Sequence, residues 1–150
     1  MTVHVERIDH TGDAGLRAEG PDPASVMVAL AEGMARLQVA EGEIRGLITR
    51  EISARAADPT ELLVAWLAEI LYVGSVHGEV YGEAEIRELD LGDPEALITP
   101  DRCRLRGVVR GEPLDPERHV PGPELKAVTY HLAELRPEGN RWVGRVLFDL

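Results

Sequence analysis

Arg102-Cys103-Arg104-Leu105-Arg106-Gly107 places arginine at every second position, with Cys103 and Leu105 between. A two-residue period of this kind marks a strand with one face in a core and the other in water, the habit of antiparallel rather than doubly covered parallel sheets. The same period runs through residues 44–54, 79–88, 102–110, 126–135 and 141–148, so each is expected to be a strand with one polar face. Two shorter runs, 3–9 and 16–19, lie either side of Thr11-Gly12-Asp13-Ala14-Gly15 and read as strands with Asp13 at their junction. Pro137-Glu138-Gly139-Asn140 reads as the hairpin turn between the last two strands. Residues 111–124 hold four prolines and two glycines and read as a surface excursion rather than an element.

Two stretches keep a helical period instead. Gly20-Pro21-Asp22-Pro23 ends the second strand and supplies a capping carboxylate followed by a proline suited to a first helical turn, predicting a helix from 23 to about 39. Val26, Met27, Leu30, Met34 and Leu37 form its apolar stripe. Asp58-Pro59-Thr60-Glu61 repeats the start signal in capping-box form and opens a second helix to about residue 73. Leu62, Leu63, Trp66, Leu67, Ile70 and Leu71 give that helix the wide apolar face needed to lie across a sheet. The expected order is β-β-α-β-α-β-β-β-β. With connections too short for parallel crossovers, it predicts a single α+β domain, a largely antiparallel sheet carrying two helices.

Composition narrows the function. The chain has 150 residues, enough for one ordinary core, and a net charge of −11 that opposes unaided binding to nucleic acid. Hydrophobic residues make up 44%, so neither disorder nor a membrane protein is expected, and the longest apolar run, 62–68, is short for a membrane span. The first residues carry charges where an export signal would be apolar, so a soluble, cytoplasmic protein is expected. Cys103 is the only cysteine and sits in apolar phase, which excludes an internal disulfide and favours a packing role. Phosphate-binding glycine loops, paired zinc histidines and serine nucleophile elbows are all missing from the sequence.

Three clusters could carry chemistry. Asp9-His10-Thr11-Gly12-Asp13-Ala14-Gly15 packs two carboxylates, an imidazole and a hydroxyl into a turn, although aspartate and glycine are also ordinary turn residues. Phe148-Asp149-Leu150 ends an apolar strand on a carboxylate. A last strand pairing beside the first would bring Asp149 and the terminal carboxylate near Asp13, a set of hard oxygen donors suited to calcium, magnesium or manganese; the plainer alternative is a frayed tail. Lys126-Ala127-Val128-Thr129-Tyr130-His131 contains the only lysine, a compact cation suited to phosphate or carboxylate, with His131 expected on the opposite strand face.

Taken in order, these clusters resemble the archease family. The resemblance also covers residues 62–72 of the second helix, Gly111-Glu112, Asp115-Pro116-Glu117-Arg118-His119, the stretch 124–131 and Phe148-Asp149-Leu150, and so spans nearly the whole chain. Gly12 stands where the family usually has alanine, and Leu125 where it often has valine. The resemblance implies an accessory protein of the RtcB-type tRNA ligase, promoting guanylylation and multiple turnover of the ligase in tRNA splicing without itself sealing RNA; chaperone-like modulation of RNA-modifying enzymes is also described. It implies a divalent metal, calcium first and magnesium or manganese next, on Asp13, Asp149 and Leu150, with Lys126 a further functional residue and His10, Glu112, His119 and His131 at motif positions of less certain role. No residue is expected to be catalytic. Two other readings stay open on the residues alone: a small metal-dependent hydrolase of a phosphorylated substrate, and an interaction module whose acidic pocket is structural.

Overall fold

The computed structural model of the chain describes residues 3–10 and 12–150, with the side chains of Asp9 and His10 outside that description. Its strands are β1 (His4–His10), β2 (Asp13–Gly20), β3 (Val39–Glu41), β4 (Ile48–Ala56), β5 (Glu79–Asp90), β6 (Cys103–Pro113), β7 (Val120–Pro121), β8 (Ala127–Glu138) and β9 (Arg141–Asp149). The helices are α1 (Pro23–Gln38) and α2 (Pro59–His77). Every strand pair is antiparallel, as the alternation predicts, and the class is α+β. The strands divide between two main sheets, ordered β1-β2-β9-β8 and β4-β6-β5, with a small ribbon of β3 and β7.

The caps form as the sequence requires. Asp22 accepts the Ser25 amide and Asp58 the Glu61 amide, each at 2.8 Å, while Glu61 reaches back to the Ala57 amide at 3.0 Å. α2 runs one turn beyond 73, to His77, and stops where Gly78 takes a left-handed φ of 66°. Both helices touch both main sheets: α1 packs on β2 and β9 and on β5, and α2 on β8 and on β4. Two glycines make the close approach possible. A Cβ on Gly144 of β9 would meet Val26 at 2.7 Å and Leu30 at 2.9 Å, and one on Gly107 of β6 would meet the Trp66 ring at 3.1 Å.

α2 is long and apolar enough to cross a membrane by length and composition, but Leu62, Leu63, Trp66 and Leu67 are fully buried inside the protein. It is the core helix. Burying each such side chain contributes about 1.5–3 kcal/mol, and the Trp66 indole N–H is satisfied by the Met27 carbonyl at 3.1 Å, joining the helices. Cys103 is buried with its thiol on the Leu91 carbonyl at 3.1 Å, in keeping with its packing role.

Four sequence expectations are corrected. The strand expected over 44–54 forms only from Ile48, and β3 precedes it, because the Arg45 amide donates to the Glu112 carboxylate rather than to a ladder. The excursion over 111–124 is not all surface: β6 continues to Pro113, β7 pairs with β3, and Glu112 and His119 are buried at 1% and 3% exposure. The two-residue alternation of the 126–135 strand fails after Thr129. Register there passes from Thr129 opposite Leu147 to Glu134 opposite Arg145, so residues 130–133 bulge out beside Val146. Leu132 in that bulge has a left-handed φ of 57°, which costs a side-chain-bearing residue roughly 1–2 kcal/mol. Its carbonyl accepts the Arg145 Nε–H at 2.7 Å. The following turn is narrower than the expected 137–140, since Pro137 and Glu138 stay in β8 and Gly139, with φ of 62°, makes the reversal with Asn140.

Candidate functional site at the end of the four-stranded sheet

β2 begins at Asp13 and β9 finishes at Asp149, and these two residues are direct partners across the β2–β9 ladder. Residues so opposed share a face with Cβ atoms roughly 4.5–5.5 Å apart, a distance at which like charges repel. On the other side of Asp13 stands His10 of β1, and on the other side of Asp149 stands Ala127 of β8. The Lys126 amide donates to the Asp149 carbonyl at 2.8 Å, so the chain's only lysine is tied to the same strand end. β9 pairs beside β2 rather than β1, yet it still brings the first and last motifs together. Val146, Leu147 and Phe148 are fully buried, which holds β9 in register to Asp149.

Asp13 is half-buried, whereas Asp149, Lys126 and Leu150 are exposed. The donors are oxygen only, the chemistry of a hard divalent cation. Among the described residues no group of three or more His, Cys, Asp or Glu side chains is arranged to hold a metal. Lys126 also lines an open groove of about 740 Å³ between α2 and residues 121–128, with Tyr72, Leu114 and Leu125 on its walls. His131 lies in the β8 bulge and is exposed. The side chain of His10 and all of Thr11 fall outside the described residues.

Glu112 and His119 belong to a second cluster, at the end of β6. The Glu112 carboxylate takes the Arg45 main-chain N–H, the Arg45 guanidinium at 3.1 and 3.0 Å, and the Arg118 guanidinium at 2.5 Å. Burial pushes this carboxyl up, but the hydrogen bonds from Arg118 and Arg45 outweigh it and hold the pKa at about 2. His119 Nδ1 accepts the Asp115 amide at 2.9 Å, which places the ring proton on Nε2, 3.1 Å from the Glu43 carbonyl. With its oxygens filled by arginine, Glu112 acts as a clamp joining residues 43–45 to 115–119. Sequence reasoning missed Arg45 as its partner, because 67 residues separate the two and one arginine among many carries no local signal. A third closed group, Glu79 with Arg50 at 2.9 Å and the Tyr81 hydroxyl at 2.8 Å, was equally invisible.

Comparison with known proteins agrees with the motif series. Residues 6–150 match the Archease protein family. The archease of Methanopyrus kandleri is 34% identical over 145 residues, covering 97% of this chain and 98% of that protein. That of Pyrococcus furiosus is 30% identical over 147 residues, covering 97% of each. The solution structure of Methanobacterium thermoautotrophicum protein 1598 superposes with a TM-score of 0.73 at 28% identity, covering 97% of this chain and 98% of that one. The crystal structure of a Thermotoga maritima archease, described as a possible chaperone, shares the fold with a TM-score of 0.60 at 16% identity, covering 97% of this chain and 96% of that one. Motif order, strand register and these likenesses agree, and the chain belongs to the archease family.

Proposed function

We propose that this chain is an accessory protein of an RtcB-type RNA ligase, promoting guanylylation of the ligase and its repeated turnover in the cytoplasm. The observation that carries the reading is the direct opposition of Asp13 and Asp149 with Lys126 tied to the same strand end. Carboxylates opposed in this way repel one another, and a cation set against them would relieve that repulsion. A divalent metal, calcium first and magnesium or manganese next, would be held by Asp13, Asp149 and the Leu150 carboxylate. Bound there, it would supply a concentrated positive charge for phosphate or carboxylate oxygens. Lys126 adds a second cation able to meet a phosphate as a point charge. Glu112 and His119 support the site indirectly, by clamping the segments that lead into β4 and β7.

The net charge of −11 supports a protein partner with a basic surface rather than direct contact with RNA. The test is single-turnover guanylylation of the cognate ligase with GTP and Mn²⁺, comparing no addition, wild type, Asp13→Ala and Lys126→Ala. Stimulation by wild type that both folded variants lose is the expected result. A wild type that fails to stimulate overturns the proposal.

A further inference from the structure

The β8 bulge is a built feature that neither the acidic pair nor the clamp uses. Four residues, 130–133, stand out of the ladder opposite the single residue Val146. Two of them present large apolar surface to solvent, Tyr130 at 63% exposure and Leu132 at 45%. Leu132 is also the one described residue other than glycine with positive φ, at 57°. A strained conformation persists only where surrounding contacts enforce it, and here the enforcing contact is Arg145, whose Nε–H holds the Leu132 carbonyl at 2.7 Å. The Arg145 guanidinium is steadied in turn by Glu134 at 3.6 Å. Tyr130 and Leu132 themselves lie outside the hydrophobic core.

Position adds meaning to the strain. Tyr130 lies on β8, the edge strand that begins directly after Lys126 with Ala127 opposite Asp149, so a body approaching Asp13, Asp149 and Lys126 meets β8 along the same sheet edge. We infer that Tyr130 and Leu132 form the apolar anchor by which this chain docks its protein partner, the partner supplying an apolar pocket within a basic surface that complements the chain's net charge of −11. Tyrosine is favoured as an anchor because it buries a large area with few rotatable bonds, and a pre-shaped backbone lowers the ordering cost on binding. The partner is the ligase of the preceding section, and the assignment rests on that reading.

The experiment measures binding of full-length wild type, Tyr130→Ala, Leu132→Gly and Leu97→Ala to immobilised cognate ligase, with thermal unfolding of each. Leu132→Gly relieves the positive φ, so a loss of binding by this variant does not come from unfolding. Leu97→Ala removes another exposed apolar side chain, 85% exposed between β5 and β6, as a control. Tyr130→Ala and Leu132→Gly are expected to weaken binding by about tenfold or more, with Leu97→Ala near wild type. Wild-type binding that both bulge variants retain, or lose no more than Leu97→Ala does, overturns the anchor and leaves the ligase reading intact. A wild type that does not bind the ligase overturns both. Self-association in sedimentation that the bulge variants abolish, with ligase binding unchanged, assigns the bulge to a second copy and also overturns the proposal.

Discussion

Two carboxylates in this protein show how neighbours decide what an acidic side chain can do. Asp13 and Asp149 face each other across a ladder, while Glu112 is filled by two arginines. Under the proposed function a cation would join the first arrangement, whereas arginine already fills the second. Calcium is therefore expected to raise the thermal midpoint of wild type, and Asp149→Asn should abolish that rise while leaving the metal-free protein equally stable or more so by about 0.5 kcal/mol. A calcium titration followed by calorimetry checks it. Glu112→Gln should destabilise by about 3 kcal/mol in urea unfolding, because two guanidinium groups keep their charge and lose the carboxylate that balances it. The pH dependence follows with a definite sign. Glu112 titrates at about 2 in the folded protein against 4.5 ordinarily, so its contribution is complete above pH 4.5 and disappears as pH falls toward 2. Glu79, held low chiefly by its hydrogen bond from Arg50, also contributes stability that is lost as pH falls below 4.5, so the difference between wild type and Glu112→Gln isolates Glu112. That difference should shrink steadily between pH 4.5 and 2.

At the scale of elements, the two glycines beneath the helices set how closely helix and sheet can lie. Gly144→Ala would drive a methyl into Val26 and Leu30 of α1, and overpacking of this kind costs about 1–3 kcal/mol. Chemical denaturation should show that loss, and Val26→Ala in the same chain should recover part of it by making room. The helices were legible from caps and apolar spacing because those signals are local. The β8 bulge was not, since nothing in Thr129-Tyr130-His131-Leu132 breaks the alternation; the departure appears only when β9 lies alongside with fewer residues to match. The start of β4 was misplaced for a related reason, as Arg45 finds its hydrogen-bond partner across the molecule on β6.

For the molecule as a whole, the acidic excess is spread unevenly. On β5 and β6 it is balanced locally, with Arg106 paired to Glu88 at 2.6 Å and Arg110 to Glu85 at 3.0 Å, both at the surface. At the end of the four-stranded sheet the pair Asp13 and Asp149 has Lys126 as its neighbouring lysine. Association with a basic partner should slow as salt is added while dissociation changes little, and stopped-flow measurement over a salt series tests this. A rate independent of salt would remove charge from the recognition.

The sequence by itself determined the α+β class, the antiparallel pairing, both helices with their caps, and the family, because periodicity, capping and motif order are read from neighbours along the chain. It also named Asp13, Asp149 and Lys126. Only the tertiary structure decided that β9 lies between β2 and β8, which turns separate motifs into one strand-end cluster. It likewise closed Glu112 inside an arginine clamp and raised Tyr130 and Leu132 out of the sheet. Those outcomes depend on contacts between residues far apart in sequence, and a lone glutamate or tyrosine carries no mark of the partner it will meet.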